Sequence, residues 1–341
     1  MANEKKTVRE PSFILALVPI VAMIGFMLYC FRGHSETGYH DAHLPLVMSI
    51  IVACIVGFIC GHSFQEMLAG MVERLAASME AVLILATVGF LVTSFMLSGA
   101  IPTMIVYGLD LLTPKLFLPV GCILCAIVGM ACGSSWTTTA TIGLAFLGIG
   151  AGLGIPAPIT AGMIISGAYV GDKFSPLSDT TNLAAAVAET GLFDHVTAMV
   201  STTGPTLLLS LILYTILGLN VDTSAYDATV AEGIQEAFRG AFTISPILLL
   251  PIIVVIVMCI LRVPGLVGIA VSVATAVVFM LIFQSTDIYY SRSLGDIFDV
   301  LHYGHAVETG NAVADSILGK AKGMDGMMWT INLILVALAY G

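Results

Sequence analysis

The chain has 341 residues, of which 58% are hydrophobic and only 10% are charged. Soluble domains carry about 25% charged residues, so a water-soluble globular fold is excluded. The formal net charge of −10 argues against a nucleic-acid partner, because proteins that bind nucleic acids present basic patches. The composition therefore predicts a polytopic membrane protein whose main partner is the lipid bilayer.

Ten apolar runs follow one another along the chain, and most approach the roughly 18 residues that a membrane-spanning helix needs. Lys5, Lys6 and Arg9 precede the first run and no small-residue cleavage site follows it, so it predicts a first span with a cytoplasmic N-terminus and not a signal peptide. The sequence predicts an all-α fold in one transmembrane domain, residues 1–341, whose fifth and sixth runs are too short to cross. The runs lie at 12–31, 44–61, 81–101, 116–132, 142–153, 159–170, 196–219, 243–261, 264–283 and from 327 onward.

A cluster of hydroxyl side chains interrupts the apolar pattern after the fourth run. Six Ser and Thr residues occupy the eight positions from 134 to 141. Polar groups at membrane depth are tolerated where protein or a water-filled cavity satisfies them, so the cluster predicts a lined cavity. The alternative is that these hydroxyls only let helices pack closely and bond to their own turns. The predicted cavity-lining residues are Ser134, Ser135, Trp136 and Thr137.

A re-entrant hairpin is predicted next along the chain. Gly154, Pro156 and Pro158 form a turn that cannot continue a helix, and a short apolar run lies on either side of it. The second of these runs stops at a polar stretch, 171–182, before small residues resume at 183–188. Half a span, a polar break and another apolar piece are typical of a discontinuous helix whose free ends face a bound ion.

Two carboxylates, Asp172 and Asp179, lie in this polar break. A charge at membrane depth is costly and therefore functional by default, and a carboxylate there can hold either a proton or a metal ion. We predict a sodium ion at Asp172, Asp179 and Asn182, because hard cations prefer oxygen ligands. The residues alone leave an alternative, in which Asp172 marks a helix end and Asp179 caps the next helix. The other predicted site residues are Lys173, Ser175, Ser178, Thr180 and Thr181.

Four stretches of the chain carry a resemblance to a known family. They read Gly171-Asp172-Lys173-Phe174-Ser175-Pro176-Leu177-Ser178-Asp179-Thr180-Thr181-Asn182-Leu183-Ala184, Gly133-Ser134-Ser135-Trp136-Thr137, Met199-Val200-Ser201-Thr202-Thr203-Gly204-Pro205 and Met327-Met328-Trp329-Thr330-Ile331-Asn332-Leu333. Together they closely resemble the NhaC-type sodium/proton antiporter family of the wider ion transporter superfamily.

This resemblance implies an all-α polytopic fold with inverted repeats, a re-entrant hairpin and discontinuous helices. The first repeat would cover residues 1–219 and a partial second repeat residues 220–341. The resemblance also implies a transporter of the bacterial inner membrane, not an enzyme, that exchanges Na⁺ for H⁺ by alternating access, with these ions as cargo and no cofactor. Family members continue with further helices, so we expect the chain to be truncated at its C-terminus. A homodimer is compatible with the resemblance.

Two other functions compete with sodium–proton exchange. Some antiporters of the same family exchange organic acids such as malate and lactate with sodium and protons, and Lys173 together with helix N-termini would serve a small carboxylate. An intramembrane aspartyl protease would need two aspartates that share a proton. Asp172 and Asp179 are seven residues apart across a proline, and no His-Glu-x-x-His motif is present as an alternative. Sodium–proton exchange is therefore the predicted function.

The segment between Gln284 and Gly326 is polar and contains His302 and His305. The apolar spacing within it predicts a helix over 306–322 that lies in the membrane interface. We expect this segment to have a structural role.

Overall fold

The computed structural model describes residues 9–32, 42–77, 79–132, 135–175, 178, 180–181, 184–185, 188, 190–220, 228–261, 263–284, 293–319 and 321–340. Within these residues the chain forms helices and turns and no β-strand. The predicted all-α class is confirmed.

The helices follow one another with short connections, and three of the described segments are of other helix types. A π-helical segment, Thr139–Gly143, joins α7 to α8. One 3₁₀ turn, Pro246–Leu249, leads into α12, and another, Asp325–Met327, leads into α16. The α-helices are α1 (Phe13–Phe31), α2 (His43–Ile59), α3 (Phe64–Ala77), α4 (Met79–Leu97), α5 (Ala100–Leu111), α6 (Pro114–Cys132), α7 (Ser135–Thr138), α8 (Leu144–Gly152), α9 (Ala157–Phe174), α10 (Leu192–Leu219), α11 (Ala228–Ala241), α12 (Leu250–Ile260), α13 (Gly265–Phe283), α14 (Leu294–Tyr303), α15 (Ala312–Leu318) and α16 (Met328–Tyr340).

Several helices have the length and apolar composition of membrane spans. Among the described residues, α1, α10 and α13 are each long and apolar enough to cross a bilayer alone. Two bent pairs raise the number to five when each pair counts as one span. The helices Val82–Leu97 and Ala100–Leu111 meet at 62°, and the helices Thr229–Ala241 and Pro246–Met258 meet at 92°. These features are those of a polytopic membrane protein.

The structure breaks one predicted span near its end. The run predicted as helical over 81–101 stops at Leu97, and a new helix begins at Ala100. Gly99 separates the two with φ of +82°, a left-handed conformation that glycine adopts without steric cost. Hydropathy does not reveal this break, because both sides of it are apolar.

By its internal contacts the chain divides into two compact units, residues 1–86 with 327–341, and residues 87–326. In the first unit α1 packs on α2, and α16 packs on both α2 and α3. The rings of His43 and Trp329 meet edge to face with their centroids 5.1 Å apart, which joins the start of α2 to the start of α16. This ring contact, together with the apolar helix faces, holds the first unit together.

The second unit holds the hairpin and the polar break. Helix α6 packs on α9, α10 and α12, and α5 packs on α8 and α11. Its core includes the fully buried rings of Phe95, Phe117 and Phe238. The Phe117 ring contacts Phe146 of α8 edge to face at 5.9 Å, so the hairpin is packed against α6 by aromatic side chains.

The predicted interface helix over 306–322 is wrong in extent. Gly310 lies within the predicted range and has φ of +80°, which interrupts a helix, and α15 covers only Ala312–Leu318. The chain then returns against α4, where the buried Gly323 N–H donates a 2.8 Å hydrogen bond to Thr93 Oγ1. Gly89 of α4 allows this approach, since a Cβ there would lie 2.5 Å from the Gly323 carbonyl oxygen. The segment is therefore built into the second unit.

Candidate functional site

The predicted hairpin is present as two helical arms joined by a short turn. The first arm runs from α7 through the π-helical segment to α8, and the second arm is α9. Gly154 has φ of +71°, and Pro156 precedes the first residue of α9, so the turn uses the residue types that end one helix and start the next. The two arms pack against each other. Both arms are longer than the apolar runs at 142–153 and 159–170, because the polar residues that flank those runs are also helical.

The hydroxyl cluster at the start of the first arm serves two purposes. Thr139 Oγ1 donates to the Ser135 carbonyl at 2.8 Å, and Thr141 Oγ1 donates to the Thr137 carbonyl at 2.7 Å. These bonds occupy the carbonyls next to the π-helical segment, as the packing alternative requires. Ser135 and Thr137 are buried, whereas Trp136 between them is about half exposed. Unlike the hydroxyls of Thr139 and Thr141, which bond to their own helix, the Ser135 hydroxyl bonds to the other arm of the hairpin.

Asp172 lies in the last turn of α9 and is only 6% exposed. Ser135 Oγ donates a hydrogen bond to Asp172 Oδ2 at 3.1 Å, and both side chains are buried. A carboxylate removed from water requires such donors or a bound cation. The two arms therefore hold a hydrogen-bonded carboxylate between them.

The residues after α9 fold back over the end of that helix. Thr181 Oγ1 lies 3.4 Å from the carbonyl oxygens of both Asp172 and Lys173, in the last turn of α9. The Asp172 carbonyl also accepts the N–H of Ser175 at 3.1 Å. Ser178 Oγ and Thr180 Oγ1 are 3.0 Å apart, and Lys173 Nζ donates to Thr180 Oγ1 at 3.2 Å. Hydroxyl and carbonyl oxygens are thus concentrated around the end of α9, beside Asp172.

Some predicted site residues lie outside the described residues. Asp179, Asn182 and Ser134 are among them, so sodium ligation by Asp179 and Asn182 stays a prediction. Of the other predicted residues, Ser175, Ser178 and Thr181 are buried and Thr180 is exposed. In the described part of the chain, no group of three or more His, Cys, Asp and Glu side chains forms a metal cluster. Asp172 is the carboxylate that this part of the chain contributes to the site.

Glycines let α9 approach α6 closely enough to position Asp172. A Cβ on Gly129 would lie 2.7 Å from the Ala168 carbonyl oxygen, and one on Gly171 would collide with the Ala126 carbonyl. A Cβ on Gly167 would collide in the same way with the backbone of α6. Gly167 and Gly171 are four residues apart, the spacing of close helix pairs in membranes. This spacing is the signal that could have identified the contact from the sequence, and our sequence reasoning missed it.

A hydrogen bond joins the second arm of the hairpin to the long helix α10. Ser166 Oγ and Tyr214 Oη are 2.9 Å apart, and both side chains are partly buried. Gly162, one turn earlier on α9, leaves room for the Tyr214 hydroxyl, which would lie 3.4 Å from a Cβ at that position. Helix α9 is therefore held on one side by backbone contact with α6 and on another by a polar contact with α10.

These features are those of a polytopic membrane transport protein, and comparison with known proteins agrees. The sequence profile of the Na⁺/H⁺ antiporter family matches residues 167–341. The chain belongs to this Na⁺/H⁺ antiporter family. Its members are transporters and not enzymes, which confirms that part of the sequence prediction and excludes the aspartyl protease alternative.

Curated relatives match nearly the whole chain. The arginine/ornithine antiporter ArcD of Halobacterium salinarum is 35% identical over 98% of this chain and 67% of the relative. The Na⁺/H⁺ antiporter NhaC of Alkalihalophilus pseudofirmus is 34% identical over 88% of this chain and 63% of the relative. The malate-2H⁺/Na⁺-lactate antiporter of Bacillus subtilis is 31% identical over 98% of this chain and 69% of the relative. The chain thus spans about two thirds of the length of these relatives. No solved structure matches the chain.

Proposed function

We propose that this chain forms part of a secondary transporter that exchanges Na⁺ for H⁺ across the membrane by alternating access. The observation that carries the proposal is the buried Asp172 carboxylate, held by Ser135 across the hairpin and surrounded by hydroxyl and carbonyl oxygens. Membership of the Na⁺/H⁺ antiporter family and two curated relatives named NhaC support it.

Exchange follows from a competition between Na⁺ and H⁺ for the single negative charge of the Asp172 carboxylate. Asp172 binds sodium only when its carboxyl has lost its proton, so the two cations exclude each other at this group. Sodium prefers oxygen ligands, by the logic that applies to other hard cations. Ser135 supplies one such oxygen, and Asp179, Asn182 and Thr181 complete the proposed set. When a proton takes the place of sodium, the hydroxyl donor of Ser135 keeps the carboxyl in position.

The test is sodium-driven proton flux in proteoliposomes that contain the purified protein and a trapped pH-sensitive dye. Asp172→Asn keeps the shape of the side chain but cannot release a proton, so it should abolish sodium-dependent flux. Asp194→Asn is the matched control, because Asp194 is an exposed aspartate in the first turn of α10, and it should transport normally. Ordinary sodium-dependent flux in Asp172→Asn, with the ordinary pH profile, would place the exchanging carboxylate elsewhere.

A second candidate function is exchange of a small carboxylate together with sodium or protons. Lys173 favours it, because its ammonium group lies 3.2 Å from Thr180 Oγ1 among the oxygens at the end of α9 and supplies a positive charge. Curated relatives named for malate and lactate or for arginine and ornithine belong to the same group of similar proteins. Adding malate, lactate, arginine or ornithine to one side of the vesicles separates the two functions. A sodium-dependent flux that requires one of these solutes would favour the second.

We further propose that the protein lies in the bacterial inner membrane with its N-terminus in the cytoplasm. Lys5, Lys6 and Arg9 before the first span support this orientation. We also propose a single transmembrane domain over 1–341, with a first repeat at 1–219 and a partial second repeat at 220–341, and a homodimer.

The orientation of the N-terminus can be tested directly. A cysteine-reactive reagent that cannot cross the membrane tests the orientation. In right-side-out membrane vesicles, this reagent should label a cysteine placed at position 4 only after the vesicles are opened.

A further inference from the structure

Gln284, the C-cap residue directly after α13, joins two separate helix breaks. Its side chain is 3% exposed. Nε2 donates to the Ser98 carbonyl at 2.9 Å and to the Thr243 carbonyl at 3.3 Å, while Oε1 accepts from the Thr243 N–H at 3.0 Å. Ser98 lies between α4 and α5, and Thr243 lies between α11 and the 3₁₀ turn that leads into α12. One amide therefore contacts both breaks.

The first break is shaped to receive this amide. Gly99 has φ of +82°, and a Cβ built on it would lie 2.5 Å from Gln284 Nε2. Any other residue at position 99 would be strained and would also push the amide away. Glycine thus permits both the 62° bend between α4 and α5 and the approach of the side chain that fixes it.

The second break has a further tie to α13. Thr243 Oγ1 donates to the Phe283 carbonyl at 2.8 Å, next to the residue that supplies the amide. Helix breaks leave backbone groups without intrahelical partners, and a buried group of this kind costs free energy unless it is paired. The Gln284 amide uses both of its donors and its acceptor to pair three of these groups.

Helices α5 and α11, each of which has one end at a break, also contact each other away from Gln284. Gln235 Nε2 of α11 donates to the Val106 carbonyl at 3.0 Å and to Asp110 Oδ1 at 2.8 Å, both on α5. Arg239 of α11 lies 3.9 Å from the Asp110 carboxylate. Helix α5 begins at the first break and α11 ends at the second, so Gln284 holds one end of the pair and Gln235 holds the middle.

We propose that Gln284 is a positioning residue that locks these two breaks together, so that α5 and α11 move as one body during transport. The inference rests on the proposed exchange function for its transport consequence only. The proposed lock itself predicts that the distance between α5 and α11 stays constant, and this prediction does not depend on the exchange function. In this arrangement Gln284 contacts neither cargo ion, and its loss changes the rate of the conformational step while sodium binding stays the same.

The test measures the distance between two spin labels on the intact protein. Leu111 at the end of α5 is 81% exposed and Val230 in the first turn of α11 is 40% exposed, so both positions accept a label. Each lies at the end of its helix opposite to the break that Gln284 contacts. The background replaces the seven native cysteines and is first shown to unfold at the same temperature as the wild type. We expect one narrow distance distribution that is the same with sodium at high pH and without sodium at low pH. A wild-type distance that differs between the two conditions would overturn the proposal.

Two variants complete the test. Gln284→Leu keeps the approximate size of the side chain without the hydrogen bonds, and it should broaden the distance distribution. It should also lower the transport rate about tenfold, which corresponds to a rise of about 1.4 kcal/mol in the activation free energy of the conformational step. The half-saturating sodium concentration should stay the same. Gln284→Glu should regain the narrow distribution only at low pH, where its protonated carboxyl again donates. A narrow distribution and a normal rate in Gln284→Leu would contradict the lock.

The controls separate folding and function from the lock. Ser272→Ala removes a buried hydroxyl that donates within α13 to the Gly268 carbonyl at 2.8 Å, and it should leave both readouts unchanged. If Gln284→Leu does not fold, the wild-type and Gln284→Glu distances still decide the question. If no sodium–proton exchange is found, the distance measurement still stands, because pH alone supplies its two conditions.

Discussion

Ser135 Oγ and Asp172 Oδ2 are 3.1 Å apart, a buried contact that closes the hairpin between residues 37 positions apart in sequence. A hydrogen bond to an ionised group contributes about 1.5–3 kcal/mol. The contact therefore orients the carboxylate and supplies one oxygen of the proposed sodium site.

We predict that Ser135→Ala raises the half-saturating sodium concentration about tenfold, the equivalent of about 1.4 kcal/mol. The maximal rate should change little, because the Asp172 carboxylate is still present. Ser135→Thr, which keeps a hydroxyl, should restore most of the affinity. Sodium dependence of proton flux in proteoliposomes measures the effect. An unchanged sodium dependence in Ser135→Ala would remove this hydroxyl from the site.

The glycine contact between α6 and α9 gives a prediction about stability. Gly171→Ala places a methyl group against the Ala126 carbonyl, and backbone on both sides cannot yield as a flexible side chain would. We expect a loss of about 1–3 kcal/mol in stability and a loss of exchange, because Asp172 is the next residue. Gly70→Ala is the control, since a Cβ on Gly70 of α3 has no neighbour within 4 Å, and it should be neutral or stabilising. Thermal unfolding in detergent compares the two. Equal melting temperatures would show that the helices can separate without cost.

Two buried threonines offer a matched pair of substitutions. Thr93 Oγ1 accepts the Gly323 N–H, so Thr93→Val leaves a buried donor unpaired and should cost about 1–3 kcal/mol. Thr103 is also fully buried, and its hydroxyl has no hydrogen-bond partner among the described residues. Thr103→Val should therefore be neutral or stabilising by up to about 1 kcal/mol. The opposite order of melting temperatures would contradict the placement of the 321–326 segment against α4.

The pH dependence of stability is predicted to involve His305. Burial lowers the pKa of His305 below its usual value near 6.5, so the folded protein binds a proton there less readily than the unfolded chain does. The stability that the neutral ring contributes is complete above the unfolded pKa and is lost as pH falls below it. The melting temperature should fall between pH 7.5 and pH 5 in the wild type.

His305→Gln should flatten this pH dependence. Asp315 does not contribute in this window. Hydrogen bonds from the backbone and side chain of Thr309 lower the pKa of Asp315, so the stability it contributes is lost only when pH falls below the usual range of a carboxyl. Identical slopes for the wild type and His305→Gln would assign the pH dependence to another group.

The sequence predicted the features that depend on local residue types. The helical class follows from hydropathy, and the hairpin turn follows from Gly154 and Pro156, which act on their own backbone. The polar stretch at 171–182 also indicated roughly where α9 ends, because Ser and Thr compete with helical hydrogen bonding, although the helix continues into that stretch as far as Phe174.

The features that the sequence did not reveal depend on distant partners. Gln284 contacts Ser98 over 186 positions and Thr243 over 41, and a lone polar residue at the end of an apolar run does not identify either partner. The break at Gly99 was hidden for a similar reason, since a glycine among apolar residues is common inside membrane helices. The 306–322 helix was predicted from apolar spacing, which does not record that Gly310 adopts a positive φ.

The π-helical segment Thr139–Gly143 has a consequence for how the gene can vary. A π-helical turn holds one more residue than the α-helix around it, so a one-codon deletion there would let the helix revert to α geometry. Such a deletion would keep the turns on either side in nearly the same rotational phase, because the extra residue is accommodated within the π turn itself. Ser135 would therefore keep its contact with Asp172. Related sequences that keep this carboxylate should tolerate a one-residue gap between 139 and 143 more readily than a gap in the α-helical parts of the same arm, where a deletion turns the rest of the helix by about 100°.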